Sequence, residues 1–483
     1  MMEFLERYRD IVDDWPAFLH FSRKPLKSGV WVNLLKTEQR VCERLLQEAG
    51  IDFEPLRWCR FGYRVSDPGA VVSSWFFLVG LCHVQDVISL VPVILLDPQP
   101  GESVLDLCAA PGNKTSFAAM LMKNSGRIVA NDMDTHRLGT AMHLCARLGV
   151  VTAVFTKYNG ASYPYSGMIG DAGFDRILVD APCSGEGTTR KNPSGPGWCD
   201  KDFSLRMSRL QKALLERAVR LCKPGGRIVY STCTYAPEEN EEVVDHVLRV
   251  FDGLISVIDA DLPGLVCSEG IDSWEGRSFD RQVRKCLRIW PHQNDTGGFF
   301  VAVLEKSGDR EYPRGSEKDP ALVRWKKDEV CSWMSFLEKR FEIDTTAFDA
   351  YQFYRGNKKR VHVIKAEKLG IPGFPVPLGI GMPFLKDQGA VPKLTTAASM
   401  YFGAMIRKNA VDLSREQLGA YFRREEVTLT KEQISLCDGR GYVLVRHRGV
   451  PCGLAMLKSR GSEIWYLESL FPAGWAKAYG QLN

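Results

Sequence analysis

Between Val104 and Val250 the chain alternates short apolar runs with stretches of helical periodicity. The apolar runs predict strands at Val104–Cys108, Arg127–Ala130, Val151–Phe155, Arg176–Val179 and Arg227–Tyr230. The periodic stretches predict helices at 114–122, 137–148 and 203–221, the last ending before a Lys-Pro-Gly-Gly run. Such alternation is typical of a parallel sheet with helices on both faces. Two further runs, Leu287–Trp290 and Phe299–Leu304, predict an antiparallel hairpin that closes the sheet.

The length of 483 residues is too great for one compact core and predicts two to four domains. Residues 76–306 contain the strand–helix alternation. Residues 1–75 form a separate, mostly helical α+β segment that is expected to bind RNA, with Arg23, Lys24 and Lys27 as candidate phosphate contacts. Residues 307–398 are a linker and middle segment, because the stretch 306–320 is charged and rich in Gly and Pro. Residues 399–483 are predicted to be β-rich, since Gly441–Leu457 has the pattern of a strand, a tight turn and a second strand.

Several classes of protein are disfavoured by the composition. No apolar run reaches the roughly 18 residues that cross a bilayer, and the first residues lack the pattern of a signal peptide. We therefore expect a cytoplasmic protein without a membrane partner. The 14 cysteines include no Cys-x-x-Cys pair, so the spacing indicates no zinc site and we expect no metal. Without an export signal the thiols should stay reduced.

The charge is unevenly distributed. Residues 311–483 contain 27 Lys and Arg against 19 Asp and Glu, whereas the preceding part is slightly acidic. A basic C-terminal part is consistent with a phosphate-bearing partner such as RNA. Charge alone is equally consistent with an ordinary solvated surface.

The segment Asp106–Thr115 joins the first strand of the alternation to the first helix. It has neither the Gly-x-x-x-x-Gly-Lys-[Ser/Thr] loop that binds phosphate nor the Gly-x-Gly-x-x-Gly loop that binds dinucleotides. Small residues at Ala109, Ala110 and Gly112 allow a ligand to approach the backbone. About 20 residues further on, Asp132 ends the second strand, where an acid accepts both ribose hydroxyls. These features favour a nucleoside cofactor without phosphates, such as S-adenosylmethionine. The alternative is an ordinary strand-to-helix turn with a capping aspartate.

Two cysteines follow adjacent strands of the predicted sheet. Cys183 lies in Asp-Ala-Pro-Cys-Ser-Gly-Glu-Gly (180–187), and Cys233 lies in Tyr-Ser-Thr-Cys-Thr (230–234). Catalytic groups of open α/β sheets gather at the carboxyl ends of strands, so both thiols are expected at one site. A thiolate that adds to carbon 6 of cytosine makes carbon 5 nucleophilic, and a second thiol nearby assists release. Asp180 is placed to hydrogen-bond ring nitrogen 3. Each cysteine alone is more simply a buried side chain, so the hypothesis depends on their joint occurrence.

Three motifs resemble those of the Sun-family RNA (cytosine-5) methyltransferases: Leu105–Thr115, Asp180–Thr188 and Ser231–Asn240. Gly297–Ala302 resembles the closing strand of that family, and Gln85, Asp86 and Ser89 resemble its lead-in helix. The likeness covers roughly residues 25–306, in the order of the family. It implies a Rossmann-like S-adenosylmethionine-dependent methyltransferase sheet, an α/β fold that is parallel with an antiparallel closing hairpin. It also implies RNA as the partner and 5-methylcytosine as the product.

The resemblance assigns roles to individual residues. Cys233 is the nucleophile, Cys183 aids release of the methylated RNA, and Asp180 faces both the cytosine and the cofactor. Lys114 steadies a cluster of carboxylates. The cofactor is expected to be surrounded by Cys108, Ala109, Ala110, Pro111, Gly112, Asn113, Lys114, Asp132, Arg137, Asn159 and Asp180.

Three positions depart from the family pattern. Asn113 stands where Gly is usual, and we expect the turn to tolerate it. Asn159 stands where an Asp often contacts adenine, and its amide is expected to hydrogen-bond the adenine instead. Trp31 stands where Arg is usual, which puts one RNA contact of the family in doubt.

The C-terminal stretch resembles the basic extensions of bacterial family members that act on ribosomal RNA, in which a PUA-like module binds RNA. The likeness lies in Tyr442–Val445, Gly449–Pro451, Gly453 and Leu470–Pro472. Upstream, Tyr354–Arg360 mixes basic and aromatic residues as single-strand binders do, or forms a solvated turn. The resemblance favours small-subunit ribosomal RNA as the substrate, with transfer RNA as the alternative.

Two other functions are compatible with parts of the pattern. A DNA cytosine-5 methyltransferase takes the cysteine of its Pro-Cys pair as nucleophile, but the Thr-Cys-Thr motif around Cys233 and the C-terminal likeness argue against it. A catalytically silent RNA-binding ribosome assembly factor would need the fold but could lose either thiol. The presence of both cysteines, Asp180 and Lys114 disfavours that function.

Overall fold

The computed structural model describes residues 3–164, 173–191, 201–308, 327–355, 360–365, 375–386, 391–461 and 464–475. Most of the predicted linker and the centre of the Tyr354–Arg360 segment lie outside these ranges. The helices and strands named below are those within them.

The N-terminal part is built around a four-stranded antiparallel sheet with the order β2-β3-β1-β4. A 3₁₀ helix spans Glu3–Ile11, and the further elements are α1 (Trp15–Arg23), β1 (Gly29–Val32), α2 (Gln39–Glu48), β2 (Phe53–Leu56), β3 (Cys59–Val65), α3 (Pro68–Val72), α4 (Trp75–Leu78) and β4 (Cys82–Gln85). The sequence suggested a mostly helical segment because these strands are short and β1 is buried along its whole length, which hides any alternation. Pairing of β4 with β1 carries the sheet beyond residue 75.

The central part contains the predicted mixed sheet. Its elements are α5 (Val91–Leu96), β5 (Ser103–Asp106), α6 (Asn113–Leu121), β6 (Arg127–Asn131), α7 (Thr135–Leu148), β7 (Ala153–Thr156), β8 (Phe174–Asp180), α8 (Lys201–Leu221), β9 (Cys222–Thr232), α9 (Glu241–Val250), β10 (Ile255–Val257), β11 (Ser268–Glu269), β12 (Ser273–Trp274), β13 (Arg277–Ser278), β14 (Leu287–Ile289), α10 (Pro291–Asn294) and β15 (Phe299–Lys306). Strands β9-β8-β5-β6-β7 are parallel, and β14 and β15 form the predicted antiparallel hairpin beside β9. The Rossmann-like fold with its closing hairpin is confirmed.

Helices cover both faces of this sheet. Phe117 of α6 and Leu138 of α7 belong to one apolar layer, whereas Leu214 of α8 and Val244 of α9 belong to the other. Along β6, Ile128 faces the first layer and Val129 the second, as the two-residue period of a strand requires. Strand β5 lies between β6 and β8. From β5 the strand order proceeds to one side through β6 and β7, and then to the other side through β8 and β9, so the order reverses at β5. Ligands of open α/β sheets bind at the carboxyl ends of strands at such a point.

The rest of the chain forms two smaller sheets. Its elements are α11 (Lys327–Phe341), β16 (Tyr351–Arg355), β17 (Arg360–Lys365), β18 (Pro377–Ile380), β19 (Met382–Lys386), β20 (Lys393–Leu394), α12 (Thr396–Phe402), β21 (Ala410–Asp412), α13 (Arg415–Arg423), β22 (Val427–Leu429), β23 (Gly441–His447), β24 (Val450–Arg460) and β25 (Ile464–Ser469). The predicted strand–turn–strand is the antiparallel pair β23 and β24. Strands β16, β17, β19 and β20 form one four-stranded sheet. Strand β18 is not part of it but pairs with β7 and so extends the central sheet.

The C-terminal sheet packs on the N-terminal part. Val30 and Phe76 of the N-terminal part share one apolar core with Val411 and Val443 of the C-terminal sheet. The N-terminal part and the C-terminal sheet are therefore joined by a shared apolar core. Within the described ranges, no helix is long and apolar enough to cross a bilayer, and no three His, Cys, Asp or Glu side chains are grouped to hold a metal ion.

Candidate active site

The two cysteines meet at the carboxyl ends of β8 and β9. These strands are parallel neighbours in which Asp180 lies opposite Ser231, so the loops that follow them start side by side. Cys183 and Cys233 lie in those loops, with their Sγ atoms 3.4 Å apart. The structure thus places both thiols at one site, as the sequence predicted.

Buried hydrogen bonds tie the two loops together. The amide of Gly187 donates to the carbonyl oxygen of Cys233 at 2.8 Å. The Glu186 carboxylate accepts from the Thr234 hydroxyl at 3.0 Å and from the Tyr8 hydroxyl at 2.7 Å. Because Tyr8 belongs to the 3₁₀ helix Glu3–Ile11, the N-terminal part supports the loop that carries Cys233.

The contact between the two thiols changes their acidity in opposite directions. A hydrogen bond from Cys183 to Cys233 lowers the pKa of the Cys233 thiol, although burial opposes the shift. The same hydrogen bond, with burial, raises the pKa of the Cys183 thiol well above its ordinary value. Cys233 is therefore the thiol that ionises more readily, and the thiolate is the nucleophilic form of cysteine.

Asp180 lies beside Cys233 as one half of an ion pair. The Lys114 ammonium donates to Asp180 Oδ2 at 2.6 Å, and the Ser231 hydroxyl donates to Asp180 Oδ1 at 2.9 Å. Burial lowers the pKa of Lys114, but the charge and hydrogen bond of Asp180, together with the charge of Asp106, outweigh it and the net shift is upward. Lys114 thus remains a cation within the carboxylate cluster, the position that the sequence predicted for it.

The loop between β5 and α6 is held close to the sheet. Gly112 has a φ of 99°, and a Cβ built on it would lie 2.8 Å from the Cα of Ala141, so only glycine fits. Asp132 Oδ2 accepts from the amide of Ala110 at 3.1 Å, and the Arg137 guanidinium donates to the carbonyl oxygen of Ala110 at 2.8 Å. The Ala110–Pro111 peptide is cis. Asp132 and Arg137 therefore both hold this loop.

A cleft of about 200 Å³ opens between this loop and the cysteines. Its lining consists of Gln85, Asp86, Ser89, Asp106, Cys108, Ala109, Ala110, Pro111, Asn113, Lys114, Asp180, Gly187, Thr188, Lys191, Cys233, Gly298 and Phe299. Seven of the predicted cofactor residues and Cys233, the predicted nucleophile, thus line the same cleft. Burial also raises the pKa of the Cys108 thiol, which keeps it protonated and unreactive.

Asp106 gives a test of whether an S-adenosylmethionine molecule suits this cleft. Its side chain is 2% exposed, and its Oδ1 atom has no hydrogen-bond partner among the described residues. Burial raises the pKa of the Asp106 carboxyl to about 7, although the Thr115 hydroxyl donates to Oδ2 and opposes the shift. A cationic ligand would satisfy this atom and favour its ionised form. S-adenosylmethionine carries a sulfonium and an ammonium group, so the Asp106 carboxylate fits it.

Four predicted cofactor residues, Gly112, Asp132, Arg137 and Asn159, are not part of the cleft lining formed by the described residues. Asp132 and Arg137 bind the loop behind it, as given above. Asn159 Oδ1 accepts from the amide of Ala161 at 3.0 Å and so caps a short 3₁₀ turn at Gly160–Ser162. Their predicted contacts with the cofactor remain predictions.

Some residues of the site carried little or no signal in the sequence. Lys191 lines the cleft and forms an ion pair with Asp86, with Nζ and Oδ2 2.9 Å apart, across its mouth. The ring of Phe299 lies 5.6 Å from Lys114 Nζ. Nothing in the local pattern separates Lys191 from an ordinary surface lysine. By contrast, Trp31 is fully buried and its indole donates to Gln85 at 3.1 Å, so its side chain offers no contact to RNA.

Comparisons with known proteins agree with this geometry. A family model described as "16S rRNA methyltransferase RsmB/F" matches residues 93–305. The chain is 37% identical over 306 residues to a tRNA (cytosine(49)-C(5))-methyltransferase of Pyrococcus abyssi, covering 63% of this chain and 96% of that protein. It is 28% identical over 469 residues to ribosomal RNA small subunit methyltransferase F of Vibrio parahaemolyticus, covering 93% of each.

A solved structure of a methyltransferase homologue from Pyrococcus horikoshii is similar at a TM-score of 0.53 and 30% identity, covering 64% of this chain and 99% of that one. The archaeal tRNA methyltransferase is matched over nearly its whole length. The chain therefore belongs to the Sun family of S-adenosylmethionine-dependent RNA (cytosine-5) methyltransferases, which includes the RsmB/F type.

Proposed function

We propose that this enzyme methylates carbon 5 of a cytosine in small-subunit ribosomal RNA through a covalent adduct on Cys233. The observation that carries the proposal is the 3.4 Å contact between Cys183 and Cys233 beside Asp180, at the edge of the cleft. A base paired in a stem must leave its stack to reach a thiol at this depth.

The chemistry follows from the state of each side chain. The Cys233 thiolate forms a bond from Sγ to carbon 6, and the π electrons of the carbon 5–carbon 6 bond make carbon 5 nucleophilic. Ring nitrogen 3 takes up a proton from solvent on addition, and the Asp180 carboxylate accepts a hydrogen bond from it, which offsets the charge that develops. S-adenosylmethionine supplies the electrophilic methyl group that carbon 5 accepts. Asp106, Asn113 and Lys114 line the part of the cleft proposed to hold it.

Release reverses the addition. A base takes the proton from carbon 5, the electron pair re-forms the double bond, and the bond from Cys233 Sγ to carbon 6 breaks. In the resting enzyme the contact with Cys233 raises the pKa of Cys183. Once Cys233 Sγ is bonded to carbon 6 it no longer takes part in that contact as a thiolate. Cys183 then ionises more readily and is the proposed acceptor of the carbon-5 proton.

The class of RNA is proposed from the length of the similarity. The small-subunit methyltransferase F of Vibrio parahaemolyticus matches 93% of this chain, whereas the archaeal tRNA enzyme matches 63%. A match over 93% of the chain includes most of the basic C-terminal region. We therefore place small-subunit ribosomal RNA first and transfer RNA second.

We further propose that residues 399–483 bind RNA as a PUA-like module and that residues 1–75 contribute a second RNA contact. Residues 307–398 are the linker and middle segment between the catalytic domain, 76–306, and this module. The support is the five-stranded sheet order β21-β23-β24-β25-β22 and the excess of basic residues. Replacing exposed Arg415 and Lys431 by Ala should weaken RNA binding and lower its salt dependence, because each phosphate contact releases counterions. Replacing Arg281, an exposed residue of the central part, is the control and should change neither.

Methyl transfer to three substrates tests the function. The full chain with methyl-labelled S-adenosylmethionine is incubated with small-subunit ribosomal RNA, transfer RNA and DNA, and bisulfite sequencing then locates the product. We expect label in ribosomal RNA from the parent and none from Cys233→Ala. Label in transfer RNA alone would correct the RNA class, and label in DNA alone would overturn the function. A Cys233→Ala enzyme as fast as the parent would overturn the assigned nucleophile. Binding of RNA without any methylation would favour the silent assembly factor.

A further inference from the structure

Asn113 is held by a buried chain of hydrogen bonds that begins far from the cleft. Arg147 Nη2, at the end of α7, lies 3.0 Å from Nδ1 of His83 on β4. His83 Nε2 lies 3.0 Å from Oδ1 of Asn113, the first residue of α6. Arg147 and His83 are each 9% exposed, and Asn113 is half-buried at the cleft end of the chain.

The chemistry of Arg147 determines every proton in this chain. A guanidinium has only donors, so the Nδ1 atom that faces Arg147 must carry a lone pair. The imidazole proton is then on Nε2, and the Asn113 atom that faces Nε2 must be the carbonyl oxygen. These hydrogen bonds therefore set the orientation of the Asn113 amide. Its Oδ1 atom faces His83, and its Nδ2 atom is the part of the amide that His83 does not engage.

The neutral imidazole that this chain requires is the stable form. Burial lowers the pKa of His83 to about 3, and the charge of Arg147 acts in the same direction. His83 also stacks on Phe77, with ring centroids 6.2 Å apart. The position of the imidazole, its neutral charge and its tautomer are thus all fixed by its surroundings.

Asn113 lines the cleft, and its Nδ2 atom makes no hydrogen bond to a described residue. It stands at the start of α6, a nine-residue helix whose N-cap is Gly112 and has no side-chain cap. Amide donors and the helix dipole at this end favour an anion. The unpartnered Oδ1 of Asp106, buried in the same cleft, favours a cation. One wall of the cleft is therefore suited to a zwitterionic amino-acid group.

We propose that His83 is a positioning residue that aims Asn113 Nδ2 at the carboxylate of the methionine portion of the cofactor, while Asp106 receives its ammonium group. The inference rests on the proposed function and adds the residues that recognise one end of the cofactor. Where the family has glycine at this position, no such side chain is present, so the contact is a feature of this chain.

Two ligands separate this role from general damage to the fold. S-adenosylhomocysteine has the amino-acid portion, and 5′-methylthioadenosine lacks it. Asn113→Asp keeps an acceptor for His83 but removes the donor and adds a negative charge. We expect calorimetry to show an affinity for S-adenosylhomocysteine that is lower by about 10-fold or more, as for loss of a hydrogen bond to a charged group. Binding of 5′-methylthioadenosine should stay within about twofold, and Asn113→Gly should behave in the same direction.

Variants of His83 test the relay itself. Gln at this position supplies one acceptor for Arg147 and one donor for Asn113, so His83→Gln should bind S-adenosylhomocysteine nearly as the parent does. His83→Phe keeps the stacking on Phe77 but neither hydrogen bond, and should lose affinity for that ligand alone. In an Asn113→Gly background it should cause no further loss. If His83→Phe does not fold, the two Asn113 variants and His83→Gln still decide the outcome.

The failures are distinguishable. A parent protein that binds neither ligand would overturn the proposed cofactor site. A parent that binds S-adenosylhomocysteine normally, with Asn113 variants that leave its affinity unchanged or weaken both ligands equally, would overturn the inference and leave the proposed function intact.

Discussion

The Sγ atom of Cys183 lies 3.4 Å from the Sγ atom of Cys233, and the hydrogen bond between them shifts the two pKa values in opposite directions. Two chemically identical side chains thereby become unequal. One is the easier thiolate to form and the other retains its proton. The proposed division of labour between attack and release is consistent with this difference in acidity.

Removing Cys183 should trap the reaction after the addition step. In Cys183→Ala the Cys233 thiolate still attacks, but the group proposed to take the carbon-5 proton is absent. We expect a protein–RNA adduct that survives a denaturing gel, formed with substrate RNA and S-adenosylmethionine. The adduct should vanish in the Cys183→Ala/Cys233→Ala double variant. If Cys183→Ala turns over without accumulating an adduct, the release role is wrong.

The pH dependence of adduct formation should report the contact between the thiols. Because the hydrogen bond from Cys183 lowers the pKa of Cys233, the parent forms the thiolate at lower pH than a variant without that donor. In Cys183→Ala the single-turnover rate of adduct formation should rise at higher pH than in Cys183→Ser, which retains an O–H donor. Coincident pH profiles for the two variants would contradict this account.

Asp180 should be needed for the chemical step. Asp180→Asn keeps the shape but removes the carboxylate that pairs with Lys114 and is proposed to act on ring nitrogen 3. We expect kcat to fall by about 10²-fold or more, the usual scale for loss of an acid–base group. The control is Asp175→Asn on the same strand, where the carboxylate pairs with Lys223 at the other end of β8. Equal activities of the two variants would remove the catalytic role of Asp180.

A buried ion pair should dominate the stability of the closing hairpin. Arg288 donates to both carboxylate oxygens of Glu241 at 2.6 Å, and the two side chains are 3% and 0% exposed. Arg288→Met leaves a buried carboxylate without its cation and should lower the free energy of unfolding by about 3–5 kcal/mol. The exposed pair of Arg284 and Glu269 is the control, since Arg284→Met should cost less than about 1 kcal/mol.

Urea denaturation measures both losses as shifts of the midpoint. The double variant Glu241→Gln/Arg288→Met should recover part of the loss, because it no longer buries an uncompensated charge. A double variant less stable than Arg288→Met would show that the charge itself was not the cause.

Local patterns were sufficient for the central sheet and for the cysteine pair. Strands β5, β6, β8 and β9 are apolar runs bounded by helical periodicity, and such patterns depend on residues a few positions apart. Once the strands are assigned, the parallel topology brings Cys183 and Cys233 to one edge of the sheet. Within the N-terminal α+β segment the four-stranded extent of the sheet was not predicted, because its strands of four to seven residues carry no clear alternation.

The same limit applies to the cofactor site. Asp132 was predicted from its place after β6, and in the structure its carboxylate oxygens accept from the amides of Ala110 and Asp134. Its contact with the cofactor stays a prediction. Asn159 caps a turn of its own segment. Whether a polar side chain points into a cleft or binds the adjacent backbone depends on the exact backbone geometry around it. The residue type alone does not determine that geometry.

The sequence by itself determined the sheet, the nucleoside-type loop and the two thiols, because each depends on neighbouring residues or on strand order. Only the tertiary structure decided which thiol is the more acidic and how Asn113 is oriented. Those properties depend on contacts between residues far apart in the chain: Cys183 with Cys233, and Arg147 with His83 and Asn113. A pKa and a tautomer are set by burial and by the groups that burial brings within hydrogen-bond distance.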